Sequence, residues 1–432
     1  MEKDIVFIRN VILAVVFVAF IGYNAHNTEV LHNFADIVNV VFPIEAKDKR
    51  TDENQKSIYE VETREEIESI LTGCLSEVSG NINDLLPWQE DYINLNGSLM
   101  RLTGVRDYYN LEYGINVTTN DYVISKARWT STDYEISQMM QLKEYLDNRG
   151  IQLLYVNEPA KYIDDDIFRN EFGYESYLNR NADLFLRRLD EVEIEYIDLR
   201  DNIREEGLDC YKLFYRTDHH WKVPAAKWAA EIIAEKLNND YGYDIDLNLY
   251  EDENFNYVEY KNCWLGEQGR KLAESYIGRD DFTLVVPKYE TSFWRYMDEE
   301  YTEGDFDIFI DYSVYSDSYD EDGDFHPAKL KGWHYSYSGE GYIQNNNADF
   351  GNVLIFGDSY EQSLIPFMSL GIRNIHKIEP RFMSCADIQE AIESGDYDTV
   401  ILTYAQFMIG AHDNPDGANY RMFTFFEDTP VN

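Results

Sequence analysis

The chain is poor in cysteine, in histidine and in positive charge. Its 432 residues include only 4 Cys and 8 His, and 37 Lys and Arg stand against 81 Asp and Glu, a formal net charge of -44. So acidic a chain lacks the basic face that nucleic-acid binding needs, which excludes that class of protein. Its charge also disfavours docking on anionic lipid. A hydrophobic content of 44% and an aromatic content of 15% favour a folded core over disorder.

The four cysteines, Cys74, Cys210, Cys263 and Cys385, are too few and too dispersed for a disulfide framework or a zinc cluster. One bridge, Cys210 with Cys263, is open to the sequence, but spacing cannot establish it. The chain also has no His-x-x-His or Cys-x-x-Cys pair. The sequence therefore predicts neither a cofactor nor a metal.

The N-terminus carries the apolar segments Ile5–Ile8 and Val11–Tyr23, with Lys3 and Arg9 on the leading side. Counted from Ile5 the stretch barely reaches spanning length, and no small-x-small cleavage pattern follows it. We therefore predict a signal anchor over residues 1–23, with a cleaved signal peptide as the alternative. Positive charge before it and acidic protein after it predict a single-pass cell-membrane protein whose body is extracytoplasmic.

Beyond this segment we predict a polar, charged, membrane-proximal stalk over residues 24–90 and one α/β domain over residues 91–432. Apolar periodicity predicts alternating helices and strands, and such alternation predicts a three-layer α/β/α fold with a mostly parallel sheet. The predicted helices are Asp133–Asn148, Tyr177–Leu189, one opened by Pro224, and Ala386–Ile392. The predicted strands are Ile151–Val156, Glu195–Leu199, Val353–Phe356, Asn374–Ile378 and Thr399–Tyr404.

The alternation breaks down between about residues 239 and 350, where the sequence is acidic and rich in tyrosine, so we predict an insertion there. Its Asp-rich run, residues 317–324, is typical of a solvated loop. Calcium binding by this run stays open, although the run lacks EF-hand spacing. The aromatic residues are expected to pack, with stacking on sugar rings as the alternative.

Two short segments carry the chemistry: residues 218–221 (Asp-His-His-Trp) and residues 357–360 (Gly-Asp-Ser-Tyr). Ser359 follows an apolar strand and precedes a helix, which places it where open α/β sheets bind ligands. A serine hydroxyl is a weak nucleophile, and needs a base held in the right tautomer by a third group. Asp218 and His220 are two residues apart and can point the same way. We therefore predict an Asp218–His220–Ser359 triad, with His219 facing away and the Ser359 backbone N–H as an oxyanion donor.

Each segment has a simpler interpretation on its own. Gly-Asp-Ser after a strand is ordinary turn chemistry, and two adjacent histidines with a carboxylate can hold zinc. The remaining histidines, including His326, His334 and His376, are scattered along the chain. The two segments together favour the serine triad.

Residues 215–221 (Tyr-Arg-Thr-Asp-His-His-Trp) and 353–360 (Val-Leu-Ile-Phe-Gly-Asp-Ser-Tyr) resemble the DHHW family. That family is itself similar to the SGNH-hydrolase-like domains of alginate O-acetyltransferases (AlgX/AlgJ-like), in which the Asp-x-His-Trp element also precedes the serine. The resemblance implies Ser359 as nucleophile, His220 as base and Asp218 as orienting acid. Residues 154–161 resemble the family's strand-Pro-x-Lys element, so Lys161 is expected to contact substrate or to be a salt-bridged strand-end residue. Trp221 is expected to pack under the histidine loop or to stack on a sugar.

The resemblance implies an extracytoplasmic O-acetyltransferase or acetylesterase that acts on a cell-surface or secreted polysaccharide through an acyl intermediate on Ser359. A transferase would need a membrane acyl-carrier partner. The chain has no Gly-x-Asn-Asp block, so sequence assigns no further oxyanion donor. The alternative therefore stays open: an inactive SGNH-like protein that binds glycans or serves as a scaffold.

Overall fold

The computed structural model describes residues 89–107, 114–297, 300–310 and 341–426. The described residues from Asn94 onward belong to one compact unit. The predicted anchor, almost all of the predicted stalk and the Asp-rich run lie outside the described residues. Within the described ranges, every helix is too short or too polar to cross a bilayer.

The described chain alternates helices and strands on both sides of a long irregular middle part. The helices are α1 (Gln89–Leu102), α2 (Asp133–Asp147), α3 (Asp166–Phe172), α4 (Leu178–Glu191), α5 (Leu199–Glu205), α6 (Cys210–Leu213), α7 (Val223–Asp240), α8 (Glu267–Leu272), α9 (Glu274–Ile277), α10 (Glu361–Met368) and α11 (Cys385–Glu393). The strands are β1 (Asn116–Val117), β2 (Val123–Ile124), β3 (Gln152–Glu158), β4 (Glu195–Asp198), β5 (Phe255–Trp264), β6 (Asp280–Pro287), β7 (Phe293–Met297), β8 (Glu300–Gly304), β9 (Gly341–Asn345), β10 (Asn352–Gly357), β11 (Asn374–Ile378) and β12 (Thr399–Ala405). Short 3₁₀ helices cover Leu247–Tyr250, Asp252–Asn254, Phe306–Phe309, Pro380–Phe382, Gln406–Met408 and Ala411–Asp413.

The central sheet has eight strands in the order β4-β3-β12-β10-β11-β9-β7-β8. The five strands β4, β3, β12, β10 and β11 are parallel to one another. Their carboxyl ends therefore meet at one edge of the sheet, which is where the predicted serine lies. The prediction of a large, mostly parallel sheet is confirmed.

Side chains of β10 alternate between two hydrophobic cores. Val353 and Ile355 belong to the core that includes α7 and α10, whereas Leu354 and Phe356 belong to the core that includes α2, α4 and α11. This period of two is what a strand buried on both faces requires. The sheet is thus covered by helices on both faces, as the three-layer prediction requires.

The middle part of the chain contributes strands to the central sheet. Strands β7, β8 and β9 extend the central sheet in antiparallel fashion, with β9 pairing to both β11 and β7. Phe293 and Ile343 are buried and join the core that contains α7. Strands β5 and β6 form a separate antiparallel pair. Strands β7, β8 and β9, which fall in the predicted insertion, thus belong to the central sheet.

Three of the four cysteines lie in the described residues, and all three are free thiols. The thiol of Cys210 donates to the Ala160 carbonyl at 3.2 Å, and that of Cys263 donates to the Tyr260 carbonyl at 3.3 Å. The disulfide considered between Cys210 and Cys263 is therefore not formed. Cys74 lies outside the described residues.

Candidate active site

A tight loop between α6 and α7 carries the Asp-His-His-Trp segment. Phe214 and Trp221 form an isolated antiparallel bridge, which closes the loop at its base. The Tyr215 N–H donates to the His220 carbonyl at 3.3 Å inside that bridge. The loop therefore turns back on itself and presents its central residues to the sheet edge.

The structure brings together the three residues predicted as a triad, although Ser359 is 139 residues from His220. His220 Nε2 lies 2.6 Å from Ser359 Oγ, and His220 Nδ1 lies 2.5 Å from Asp218 Oδ1. Asp218 and His220 are buried, while Ser359 is half-buried. One carboxylate, one imidazole and one hydroxyl thus form a continuous hydrogen-bonded chain.

Backbone donors hold Asp218 in place. Its Oδ1 also accepts from the His220 N–H at 3.1 Å, and its Oδ2 accepts from the Glu267 N–H at 2.7 Å. Burial by itself raises the pKa of Asp218, but the hydrogen bond and charge of His220 outweigh burial and hold that pKa well below its ordinary value. The carboxyl is therefore ionised at neutral pH and can stabilise a protonated imidazole.

The segment around α8 supports Asp218, and the sequence interpretation missed it. A Cβ on Gly266 would lie 2.6 Å from the Thr217 carbonyl oxygen and would clash with the Asp218 side chain, so this position accepts only glycine. The Gly269 N–H donates to the same Thr217 carbonyl at 2.7 Å. Two glycines three residues apart, directly after Trp264 and Leu265, are the sequence feature that could have indicated this close approach.

Asp280, at the start of β6, fixes the other side of the loop. Its carboxylate accepts from the Arg216 N–H at 3.0 Å, the Thr217 N–H at 2.8 Å and the Thr217 hydroxyl at 2.6 Å. Asp280 is 3% exposed, so water competes little for these bonds. The predicted insertion therefore supplies the residues that position the base.

The turn after β10 presents Ser359. Asp358 Oδ1 accepts from the Tyr360 N–H at 2.8 Å, and Asp358 Oδ2 accepts from the Ala405 N–H at 3.0 Å, which ties the turn to the end of β12. The Tyr360 hydroxyl donates to the His219 carbonyl at 2.5 Å and links the turn to the histidine loop. Among the described residues the Ser359 N–H has no hydrogen-bond acceptor, so it remains available to an oxyanion.

Trp221 is a packing residue, the first of the two roles expected for it, and its burial disfavours the alternative of stacking on a sugar. Its side chain is 1% exposed, which leaves no face for a sugar ring. The indole N–H lies 3.2 Å from the Tyr360 carbonyl and 3.1 Å from the Ser363 hydroxyl. Trp221 therefore joins the loop of the base to the helix that follows the nucleophile.

Lys161 lines a pocket of about 360 Å³ beside the triad, but its ammonium is already engaged. Its Nζ donates to the Val123 carbonyl at 2.5 Å, the Arg216 carbonyl at 3.0 Å and Gln268 Oε1 at 3.1 Å. Burial lowers the pKa of Lys161 to about 7. These bonds favour a role in joining β2, the histidine loop and α8, rather than the alternatives of a substrate contact or a salt bridge.

His219 does not face away, contrary to the expectation from sequence. It lines the same pocket together with Tyr360 and Phe407. Its ring packs on that of His220 with 3.9 Å between centroids, and its Nδ1 lies 3.5 Å from Asp218 Oδ1. Burial and the charge of His220 lower the pKa of His219 to about 4, so its imidazole is neutral at neutral pH. The period-two argument failed because residues 218–220 turn instead of running extended.

The zinc alternative can be tested against the same contacts. Asp218, His219 and His220 place one potential ligand atom each within 4.8 Å of one another. However, both Asp218 oxygens accept backbone or imidazole N–H groups, and the two nitrogens of His220 face Asp218 and Ser359. A metal would have to displace these bonds, so the arrangement favours hydrogen-bonded proton transfer.

Part of the chain matches a known protein family. Residues 119–255 match the family model of the SGNH hydrolase-like domain, acetyltransferase AlgX. The matched range includes Lys161, Asp218 and His220. The resemblance predicted from the sequence motifs is thereby confirmed. No match was found among curated protein sequences.

Solved structures also resemble this chain. PatB1 from Bacillus cereus is 16% identical, with a TM-score of 0.55 over 72% of this chain and 99% of that one. A DHHW family protein from Eubacterium siraeum is 16% identical, with a TM-score of 0.48 over 67% of this chain and 88% of the other. The O-acetyltransferase domain of Pseudomonas putida AlgJ is 12% identical, with a TM-score of 0.42 over 68% of this chain and 92% of that domain. At this identity the likeness to PatB1 shows the fold alone, an SGNH-like α/β fold.

Proposed function

We propose that this protein is an SGNH-type serine acyltransferase or esterase that uses Ser359 as nucleophile. The observation that carries this proposal is the hydrogen-bonded chain from Ser359 Oγ through His220 to Asp218. Each group has the chemistry its position requires: a half-buried hydroxyl, an imidazole with a nitrogen on each side, and an ionised carboxylate with backbone support.

In the first half-reaction, Ser359 Oγ attacks the carbonyl carbon of an acyl donor and its proton passes to His220 Nε2. Asp218 accepts from His220 Nδ1–H and stabilises the imidazolium that forms. The Ser359 N–H faces the developing oxyanion. Collapse of the tetrahedral intermediate expels the donor's leaving group, which takes the proton from His220, and Ser359 is left acylated.

In the second half-reaction, His220 removes a proton from an acceptor hydroxyl. The acceptor oxygen attacks the acyl carbon, Ser359 leaves, and the proton on His220 returns to Ser359 Oγ. A sugar hydroxyl as acceptor gives transfer, and water gives hydrolysis. Which acceptor dominates depends on how well the bound substrate excludes water.

The proposed acyl group is acetyl, and the proposed acceptor or substrate is a cell-surface or secreted polysaccharide. The matching family model is that of an acetyltransferase domain, and one similar structure is the O-acetyltransferase domain of AlgJ. The apolar N-terminal segment predicts that the domain acts on the extracytoplasmic side of the membrane. A transferase working there would receive its acetyl group from a membrane acyl-carrier partner.

A serine-reactive probe separates this proposal from that of an inactive glycan-binding or scaffold protein. A structure of Bacillus cereus PatB1 holds a sulfonyl adduct, so a sulfonyl fluoride is a suitable probe, together with a fluorophosphonate. We expect labelling of Ser359 in the wild type and none in Ser359→Ala. The matched control is Ser363→Ala, which removes a buried hydroxyl on α10, the helix that follows Ser359. An unlabelled but folded wild type would favour the scaffold.

Protease accessibility tests the proposed location. Proteinase added to intact cells is expected to degrade the portion after about residue 30, because the predicted anchor leaves the acidic body outside. Protection of that portion in intact cells, with digestion after lysis, would place the body in the cytoplasm and contradict the polysaccharide proposal.

A further inference from the structure

Three carboxylates lie buried beneath the nucleophile turn and have no role in the mechanism above. Glu158 ends β3, Asp358 precedes Ser359, and Glu361 begins α10. All three are 0% exposed, and one oxygen of each lies within 4.8 Å of the others. Three buried negative charges so close together repel one another strongly and require compensation.

Hydrogen bonds compensate only some of the buried negative charge of this cluster. Both Asp358 oxygens accept backbone N–H groups, and Glu361 Oε1 accepts from the Thr403 hydroxyl at 2.7 Å. Three oxygens have no partner in the described part of the chain: both Glu158 oxygens and Glu361 Oε2. Glu158 lies on β3, whereas Asp358 and Glu361 both follow β10. The Glu158 side chain is fully buried and points at the other two carboxylates, and neither of its oxygens has a hydrogen-bond partner among the described residues.

Nearby basic side chains are engaged elsewhere. Lys377 lies 3.3 Å from Glu379, and Arg381 forms an ion pair with that same carboxylate. Within the described ranges no Lys, Arg or His nitrogen lies within ion-pair distance of the cluster. Burial, followed by the charges of Glu361 and Asp358, raises the pKa of Glu158 well above its ordinary value, as expected for a carboxyl that lacks a counter-charge.

A proton and a metal ion would satisfy this cluster differently. One shared proton joins two oxygens, a donor and an acceptor, and leaves the third unpartnered oxygen buried and unsatisfied. A cation can contact an oxygen of each of the three carboxylates, including the remaining lone pairs of Asp358. Opposite ligands of Ca²⁺, at 2.3–2.6 Å from the ion, lie up to about 5 Å apart, and one oxygen from each of the three carboxylates lies within 4.8 Å of the others. Mg²⁺ usually keeps several waters, which a fully buried carboxylate cage suits less well.

We propose that Glu158, Asp358 and Glu361 form a calcium site beneath the nucleophile turn. The sequence predicts no metal site, and the only calcium candidate it offers is the separate Asp-rich run. The ion would fix the two carboxylates that flank Ser359, and so would stabilise the turn that presents the hydroxyl. Its binding does not depend on the proposed catalysis, and it can be measured without an activity assay.

The test is calcium binding to the full-length protein after chelation and dialysis. We expect one tightly bound equivalent by elemental analysis and by calorimetric titration, and a higher melting temperature when calcium is restored. Glu158→Gln is expected to lose that equivalent and the calcium-dependent rise. The matched control is Glu135→Gln: Glu135 is 2% exposed and accepts from the Gly410 N–H at 2.8 Å, away from the cluster, so its loss should leave calcium binding intact.

The opposite results would overturn the proposal. If the wild type binds no tight calcium and melts at the same temperature with and without it, the cluster holds a shared proton instead. In that case Glu158→Gln should be tolerated, because the amide supplies the donor that a protonated carboxyl would. If Glu158→Gln fails to fold, terbium luminescence of the wild-type protein provides the test instead. We expect one equivalent of terbium to bind tightly and to be displaced by calcium. Absence of such terbium binding would contradict the site.

Discussion

Replacing Asp218 by Asn changes one atom of the triad and tests how the carboxylate works. Asp218 accepts hydrogen bonds on both sides, from His220 Nδ1 at 2.5 Å and from the Glu267 N–H at 2.7 Å. An amide cannot accept on both sides, because one of its two polar atoms is a donor. If the NH₂ group of the introduced amide points towards His220, it imposes the wrong tautomer on the imidazole. If it points towards Glu267, the amide N–H and the Glu267 N–H face each other with no acceptor between them.

The expected loss can be estimated from the same geometry. A carboxylate and an imidazolium whose charge centres are about 4 Å apart attract each other by about 4 kcal/mol at an effective dielectric constant of about 20. Loss of that attraction in the transition state lowers kcat by about 10³-fold. The wrong tautomer brings the loss towards about 10⁴-fold.

The assay is steady-state hydrolysis of an artificial acetyl ester, with Ser359→Ala as the baseline. The matched control is Asp165→Asn, since Asp165 is also buried and accepts two backbone N–H groups at 3.1 Å each, but lies outside the triad. The control should lose stability at most and keep its kcat. If Asp218→Asn keeps a kcat within about threefold of the wild type while Ser359→Ala is inactive, Asp218 does not have the proposed role.

Three further predictions follow from residues around the triad. His219→Ala should lower kcat/KM by about tenfold, far less than His220→Ala, because His219 lines the pocket without touching Ser359; equal losses at both positions, restored by zinc, would support a metal site instead. Trp221→Phe should cost about 1–3 kcal/mol of unfolding free energy, since it removes the buried indole N–H that lies between the Tyr360 carbonyl and the Ser363 hydroxyl, with KM unchanged; an unchanged melting temperature with a raised KM would indicate a substrate contact. The ionised Asp218 carboxylate stabilises the fold above its unfolded pKa of about 3.9, so the gap in melting temperature between wild type and Asp218→Asn should narrow as pH falls below about 4; a constant gap would contradict the lowered pKa.

The strands and helices around the serine could be predicted because each has a strong local pattern. Val353–Phe356 is apolar throughout, as a strand buried on both faces must be, and the helix opened by Pro224 begins where proline is tolerated. An aspartate, a histidine and a serine that follow one another in this order, in segments 218–221 and 357–360, are explained better by a triad than by separate structural roles. Local sequence was therefore enough to indicate both the sheet edge and the chemistry on it.

The supporting contacts could not be predicted because they join distant parts of the chain. Strand β9 has alternating burial, but its partners are 30 or more residues away on one side and more than 40 on the other, with no tight turn to fix the pairing. Glu267 acts through its backbone N–H, which carries no residue-specific pattern. The direction of the His219 side chain was predicted wrongly because the prediction assumed an extended backbone, whereas residues 218–220 turn.

The most direct test of the central claim is intact-protein and peptide mass spectrometry after brief incubation with an artificial acetyl ester. We predict a mass increase of one acetyl group, about 42 Da, on the peptide that contains Ser359. His220→Ala should fail to acquire it, because the hydroxyl then lacks its base. An active protein that never carries the adduct on Ser359 at any time of quenching, or that carries it equally in Ser359→Ala, would contradict the serine acyl intermediate.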